Sequence, residues 1–221
     1  MKPYLIFDYD GVIADSKEAW FYSFKKTLEN LGHNNIDVGD FLKHAGPKTE
    51  ATIESFLPQK DKHRAHEGKE IIDKIVAKEG VEKMRLCSNV KETLVELKKL
   101  GYKMSLLTNS DSAFVYPGLK KFGLDKEIWD FVITADDPFP TKEKAIAFIA
   151  ASNQISASGC VYIADRAGDV KVARNAGTKM IAISNETAWE TENRMKEANP
   201  DIIIKDLSEL PAALEKLFKQ A

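Results

Sequence analysis

From Tyr102 onward the chain alternates short apolar runs with segments of helical period, and that rhythm restricts the fold more than any other feature. Residues 102–107, 131–134, 160–164, 179–183 and 202–204 read as strands bounded by turn residues. Between them, residues 142–151 read as a helix through Ala145, Ile146 and Ile149, and residues 170–176 as a helix ended by Gly177. Leu207, Leu210, Leu214 and Leu217 mark a final helix. Strands alternating with helices require right-handed crossovers and a mostly parallel sheet covered on both faces. The expected fold class is therefore α/β, a doubly wound parallel sheet.

One stretch breaks the rhythm. Residues 3–7 form a first apolar run that ends at Asp8, and no comparable run follows until the alternation resumes. Phe21, Phe24, Leu28 and Leu31 recur at helical spacing up to Gly32, and Ile71, Ile72, Ile75 and Val76 form a second stripe closed by Gly80. We expect a helical cap at residues 16–83 inserted into a core of residues 1–15 and 84–221. Trp20, Phe21 and Phe24 read as the packed interior of that cap. Asn89, with Glu92 three residues on, reads as the cap of the helix that re-enters the core.

In open α/β sheets, ligands bind beyond the carboxyl ends of the strands. At those ends this chain carries Asp8, Asp10 and Gly11, then Thr108, Asn109 and Ser110, then Asp165 and Asp169, with Lys142 opening the helix before the strand that ends near Ala164. Clustered carboxylates are stable as anions only with a cation among them. Oxygen donors without His or Cys point to magnesium. A metal, a lysine and a hydroxyl together can neutralise phosphate oxygens, and a carboxylate can act as the nucleophile that accepts a phosphoryl group.

The segment FDYDGVIADS resembles the first motif of the haloacid dehalogenase-like superfamily, LLTNS its second, and YIADRAGDVKVARNAG its fourth. The likeness runs the length of the chain and includes a helical cap placed as in the phosphoglycolate phosphatase and β-phosphoglucomutase branch. It implies a Rossmann-like core and a magnesium-dependent phosphatase acting on a small phosphorylated metabolite. It further implies that Asp8 is the nucleophile and a metal ligand. Asp10 would be the acid/base, its backbone carbonyl also reaching the metal. Thr108 and Asn109 would bind phosphate, Asp165 and Asp169 would hold Mg2+, and Lys142 would be the phosphate-binding lysine, with Lys144 the runner-up. In related capped enzymes a cap loop selects the substrate; here that loop would be Gly46-Pro47-Lys48, with Gly46 and Lys48 as its specificity residues. Two departures are visible. Arg166 stands where the family usually has serine, and Asp10 disfavours carbon–halogen cleavage. A phosphomutase and a catalytically silent binding protein remain the alternatives.

Composition narrows the rest. Net charge is −2, from 32 basic and 34 acidic residues, so no basic excess argues for nucleic acid. His44, His63 and His66 read as surface residues. Cys87 and Cys160 form no disulfide framework or zinc spacing and read as core thiols in a reducing compartment. With no membrane-length apolar run and no signal-peptide pattern, the expected location is cytoplasmic. Oligomeric state is not legible.

Overall fold

The computed structural model describes residues 2–34, 37, 41, 44, 46–125 and 127–219. Six strands form one parallel sheet in the order β5-β4-β1-β6-β7-β8. They are β1 (Tyr4–Phe7), β4 (Met104–Leu107), β5 (Phe131–Ile133), β6 (Cys160–Ala164), β7 (Lys179–Ile183) and β8 (Ile202–Ile204). The doubly wound reading is thus correct, and each expected strand is present to within two residues.

Register explains why the sheet needs apolar residues on both faces. Leu5, Phe7, Leu106, Val161, Ile163, Ile181 and Ile183 pack to one side, while Tyr4, Ile6, Leu107, Tyr162, Ala164, Met180 and Ala182 pack to the other. Successive strand residues point to opposite faces, so a sheet buried on both sides reads as a continuous apolar run. The first face is covered by α4 (Val90–Lys99), α5 (Ser112–Phe122) and α9 (Leu210–Lys219), and the second by α6 (Lys142–Ser152) and α7 (Ala167–Ala176).

The chain runs from β1 to β4 and β5 on one side, then starts β6 on the other side of β1. Strand order therefore reverses between β1 and β6, and a crevice opens at such a reversal. Phe7 is level with Ile163 and with Leu106, so the residues after β1, β6 and β4 leave the sheet at one height.

Between β2 (Ala14–Asp15) and β3 (Arg85–Leu86) lie α1 (Lys17–Asn30), α2 (Thr49–Phe56) and α3 (Ala65–Ile75). β2 and β3 pair antiparallel, tying the outgoing and returning chains together. Gly80 does not end α3. The helix continues through a π turn, Val76–Gly80, and a last turn, Val81–Lys83. A Cβ at Gly80 would lie 2.7 Å from the Ser23 hydroxyl, so glycine there serves the packing against α1. Nor is Asn89 a side-chain cap. It takes φ 57° and makes no capping bond; its amide instead donates to Asp206 at 2.9 Å. Sequence periodicity missed α5, which contains Pro117, and α8 (Glu192–Ala198). No helix among the described residues is long and apolar enough to cross a membrane.

Candidate active site

Asp8 leaves β1 at the strand reversal and is 5% exposed. Its Oδ1 accepts from the Tyr9 amide at 2.7 Å, and its Oδ2 accepts from Lys142 Nζ at 2.6 Å. Lys142 is the first residue of α6, whose start is fixed by the Thr141 side chain capping the Lys144 amide. From there its ammonium also donates to Asp169 Oδ1 at 3.0 Å and to the Tyr162 hydroxyl at 2.6 Å. Burial alone would lower the Lys142 pKa, but Asp169 and Asp8 more than offset it and hold the ammonium charged. Of the two lysines open at the sequence level, Lys142 reaches the carboxylates, whereas Lys144 is exposed.

Asp165 follows β6 and Asp169 lies one turn into α7, both buried. Oxygens of Asp8, Asp165 and Asp169 all lie within 4.8 Å of one another. Burial, with Asp8 next, pushes the Asp165 carboxyl well above its ordinary range. Burial raises Asp169 too, against the pull of Lys142. Asp165 Oδ2 accepts from the Trp189 amide at 2.5 Å, while Asp169 Oδ2 is buried without a hydrogen-bond partner. The glycine of the first motif now has a physical reason. Gly11 takes φ +74°, and a Cβ there would lie 2.1 Å from Asp165 Oδ2.

Asp10 is held by three donors. Oδ1 accepts from the Ser16 hydroxyl and, at 2.8 Å, from Trp20 Nε1; Oδ2 accepts from the Ser110 hydroxyl. Ser16 precedes α1 but makes no capping bond, because its hydroxyl is spent on Asp10. Trp20 therefore does more than fill the helical insert: its indole nitrogen reaches across to the strand-end acid.

A cavity of about 70 Å3 opens over these groups. Asp8, Asp10, Thr108, Asn109, Lys142, Asp165 and Arg166 line it from the core side, and Trp20, Phe24, Phe41, Gly46, Pro47, Thr49 and Thr52 from the helical side. Thr108 accepts from the Ser110 amide at 3.0 Å, and Asn109 donates to the Gly46 carbonyl at 3.0 Å. Lys48 is placed differently from the sequence expectation. Its ammonium donates to the Ala135 carbonyl at 2.7 Å, and it does not line the cavity. Tyr162 and Trp189 were missed in the sequence; Ser110 was placed at the strand end but not as a partner of Asp10, and Trp20 was read as packing alone. Tyr162 sits inside an apolar strand, and only its place three residues before Asp165 hints at a site role.

Gly46 seats the loop on the core. Its φ is +133°, and a Cβ there would lie 3.0 Å from an Arg166 guanidinium nitrogen. Gly46→Ala is expected to destabilise the protein by about 1–3 kcal/mol through backbone strain. The readout is a lower urea midpoint with unchanged slope. An unchanged midpoint would mean that the loop relaxes at no cost.

The comparisons with known proteins agree with this arrangement. A family model described as haloacid dehalogenase-like hydrolase matches residues 5–183. A phosphoglycolate phosphatase of Vibrio parahaemolyticus is 27% identical over 216 residues, covering 93% of each chain. The pyrophosphatase PpaX of Bacillus mycoides is 28% identical over 221 residues, covering 96% of this chain and 97% of its own. In fold, the chain is similar to a haloacid dehalogenase-like hydrolase from Streptococcus pneumoniae, with TM-score 0.83, 20% identity and coverage of 96% and 98%. It is equally similar to a predicted phosphatase from Clostridium acetobutylicum, with TM-score 0.83, 21% identity and coverage of 98% and 99%. The chain belongs to the haloacid dehalogenase-like hydrolases. Within them it is a phosphohydrolase, as its named relatives are.

Proposed function

We propose that the chain is a magnesium-dependent phosphatase that hydrolyses a small phosphate monoester through an aspartyl-phosphate on Asp8. The observation that carries this reading is the convergence of Asp8, Lys142, Asp165 and Asp169 beneath a small cavity that Asp10 also lines. Residues 16–83 are read as a cap whose closure keeps bulk water from the reacting groups.

The donor set fits a divalent cation. Three carboxylate oxygens are gathered within 4.8 Å, one Asp169 oxygen is buried without a partner, and the ligands are hard oxygens. Asp8, Asp165 and Asp169, with the backbone carbonyl of Asp10, would hold Mg2+. When bound, the ion supplies positive charge against the phosphate oxygens.

The chain's own residues then divide the work. A carboxylate oxygen of Asp8 attacks phosphorus, the bond to the leaving oxygen breaks, and Asp10 gives that oxygen its proton. Water next attacks the phosphorus of the aspartyl-phosphate and loses its proton to Asp10. The bond to Asp8 breaks, releasing inorganic phosphate and restoring both carboxyl groups. Thr108 and Asn109 line the cavity where the phosphate oxygens would lie. Lys142 has all three ammonium hydrogens engaged, so it can turn to phosphate only by releasing one partner. Tyr162 stays a protonated phenol, since burial, Asp169 and Asp8 all raise its pKa. The curated relatives act, by their names, on phosphoglycolate and pyrophosphate. Both are small phosphorylated molecules, which supports the small-substrate reading.

Turnover of a small phosphate ester is expected to disappear on chelation and return with Mg2+; turnover indifferent to chelation would overturn the metal reading. Stability carries the same signature. The folded-state pKa values of Asp165 and Asp169 are raised, so in the metal-free protein these two groups contribute stability that is fully present below the ordinary carboxylate range. That contribution is lost as pH rises through the raised values. Mg2+ binds the ionised cluster, so at neutral pH an ion at a hundredfold its dissociation constant should add about 2.7 kcal/mol. That corresponds to about 5–10 °C in melting temperature, shrinking on acidification. A melting temperature blind to Mg2+ at every pH would count against the site.

A further inference from the structure

We propose that Lys48 and Lys69 are positioning residues: from the segment read as a cap they hold the loops that carry Ser110, and through its hydroxyl they align Asp10. This rests on the phosphatase reading, with Asp10 as acid/base, and adds two residues to it.

Ser110 is the core donor to Asp10, its hydroxyl donating to Oδ2. Where that hydroxyl stands depends on how the chain after β4 is held. The pairing of β4 with β5 continues past the strand ends. The Thr108 amide donates to the Ile133 carbonyl at 3.0 Å, and the Ala135 amide to the Ser110 carbonyl at 3.0 Å. The Ser112 amide donates to Asp136 Oδ2 at 2.7 Å. Residues 110–112 and 135–136 are thus tied into one unit, with Ser110 inside it.

Two lysines from residues 16–83 meet that unit. Lys48, just before α2, donates to the Ala135 carbonyl at 2.7 Å. Lys69, on α3, has its ammonium 3.3 Å from Asp111 Oδ1 and 4.0 Å from Asp136 Oδ1. Asp73, one turn further along α3, accepts from the same ammonium at 2.7 and 2.8 Å and directs it. Asp111 is 2% exposed, and a buried carboxylate needs a cation against it. Its place in the fold is informative. Asp111 is the N-cap residue of α5, where an aspartate ordinarily bonds its own helix, yet it makes no capping bond. Asp136 takes the Ser112 amide instead, and the Asp111 carboxyl faces Lys69. The residue next to Ser110 is therefore tied to α3 at the expense of its own helix. Asp10 is held on one side by Ser16 and Trp20 and on the other by Ser110, whose loop is fixed by Lys48 and Lys69.

The test compares kcat/KM, which includes phosphoryl transfer to Asp8, for ethyl phosphate and acetyl phosphate in saturating Mg2+. The two are alike in size. Ethanol must leave with a proton from Asp10, whereas acetate leaves as the anion. Lys69→Met should lower kcat/KM on ethyl phosphate by about 10-fold and on acetyl phosphate by less than about 3-fold, a part of the roughly 100- to 10,000-fold that an acid/base supplies. Lys48→Met leaves no buried carboxylate uncompensated and should show the same preference, with a loss of about 3- to 5-fold on ethyl phosphate. Lys69→Arg keeps the charge and should recover most of the loss. In Asp10→Ala, adding Lys69→Met should cost less than about 2-fold more on ethyl phosphate, because no acid is left to align. Equal losses on the two esters, or a full further loss in Asp10→Ala, would overturn the proposal and make the lysines supports of the fold. No loss on ethyl phosphate in either lysine variant would overturn it too. If Lys69→Met fails to fold, Lys48→Met carries the same comparison. Asp10→Ala impaired equally on both esters would overturn the acid role of Asp10 and the proposal with it. An unmodified enzyme that hydrolyses neither ester would overturn the phosphatase reading itself.

Discussion

Asp8→Asn is expected to remove turnover, by a factor on the order of a million, as loss of a covalent nucleophile typically does. The amide is nearly isosteric with the carboxylate, so its oxygen can still accept from Lys142, which stands 2.6 Å from Asp8 Oδ2. Lys142 also keeps Asp169 as a charged partner. The fold should therefore survive, with a far-ultraviolet spectrum and cooperative unfolding like those of the unmodified chain. What disappears is the anionic lone pair that attacks phosphorus and one of the three gathered carboxylates. Relief of repulsion has a second consequence: Asp165, whose pKa is raised by burial and then by Asp8, should ionise more readily. Burst experiments with a small phosphate ester should show no phosphoryl adduct. Asn at position 8 turning over as fast as Asp would remove the assignment on which the mechanism depends.

The parts of the site that could be read in sequence are those governed by strand ends. Asp8 and Asp165 follow uninterrupted apolar runs and Thr108 a run broken only by Lys103 and Ser105, and in a parallel sheet the ends of such runs come to one edge whatever the details of packing. Asp169 could be read because one helical turn returns it to the same side. What escaped notice is set by contacts between residues far apart in the chain. Tyr162 meets Asp8 across 154 positions, and Ser110 meets Asp10 across 100. Trp20 carries the same helical period whether its indole nitrogen faces solvent or Asp10, so the period alone assigned it to packing. Lys48 lies beside the cavity in sequence terms, but the Ala135 carbonyl draws its ammonium aside. α5 was invisible because Pro117 argues against a helix interior, although the ring removes only one backbone donor there. Trp189 follows β7 in a loop that carries no motif, and only the folded chain brings it to Asp165 and Arg166.

Asp10→Ala should slow both chemical steps, and by unequal amounts. Its carboxylate accepts from Ser16, Trp20 and Ser110, so two donors near the join and one from the core hold it in a single orientation over the cavity. Trp20 belongs to α1, in the segment proposed as a cap, and its bond to Asp10 links that segment to the end of β1. Loss of a general acid/base typically costs about 100- to 10,000-fold, so turnover should fall steeply without vanishing. Acetyl phosphate has a leaving group that needs little protonation, so its first step should survive better than hydrolysis of the intermediate. The variant should then accumulate phosphate on Asp8, detected as a mass increase that hydroxylamine removes. Alanine also deprives Ser16, Trp20 and Ser110 of their acceptor, and Asp10→Asn separates that effect because the amide keeps an acceptor while losing the acid. Both variants should accumulate the adduct if proton transfer is the role. Accumulation in Asp10→Ala alone would assign Asp10 to holding the cap. A phosphomutase would form the same adduct but pass it to a sugar phosphate faster than to water, and a silent binding protein would form none. Rapid, unassisted decay of the adduct in Asp10→Ala would exclude Asp10 as the base that activates water.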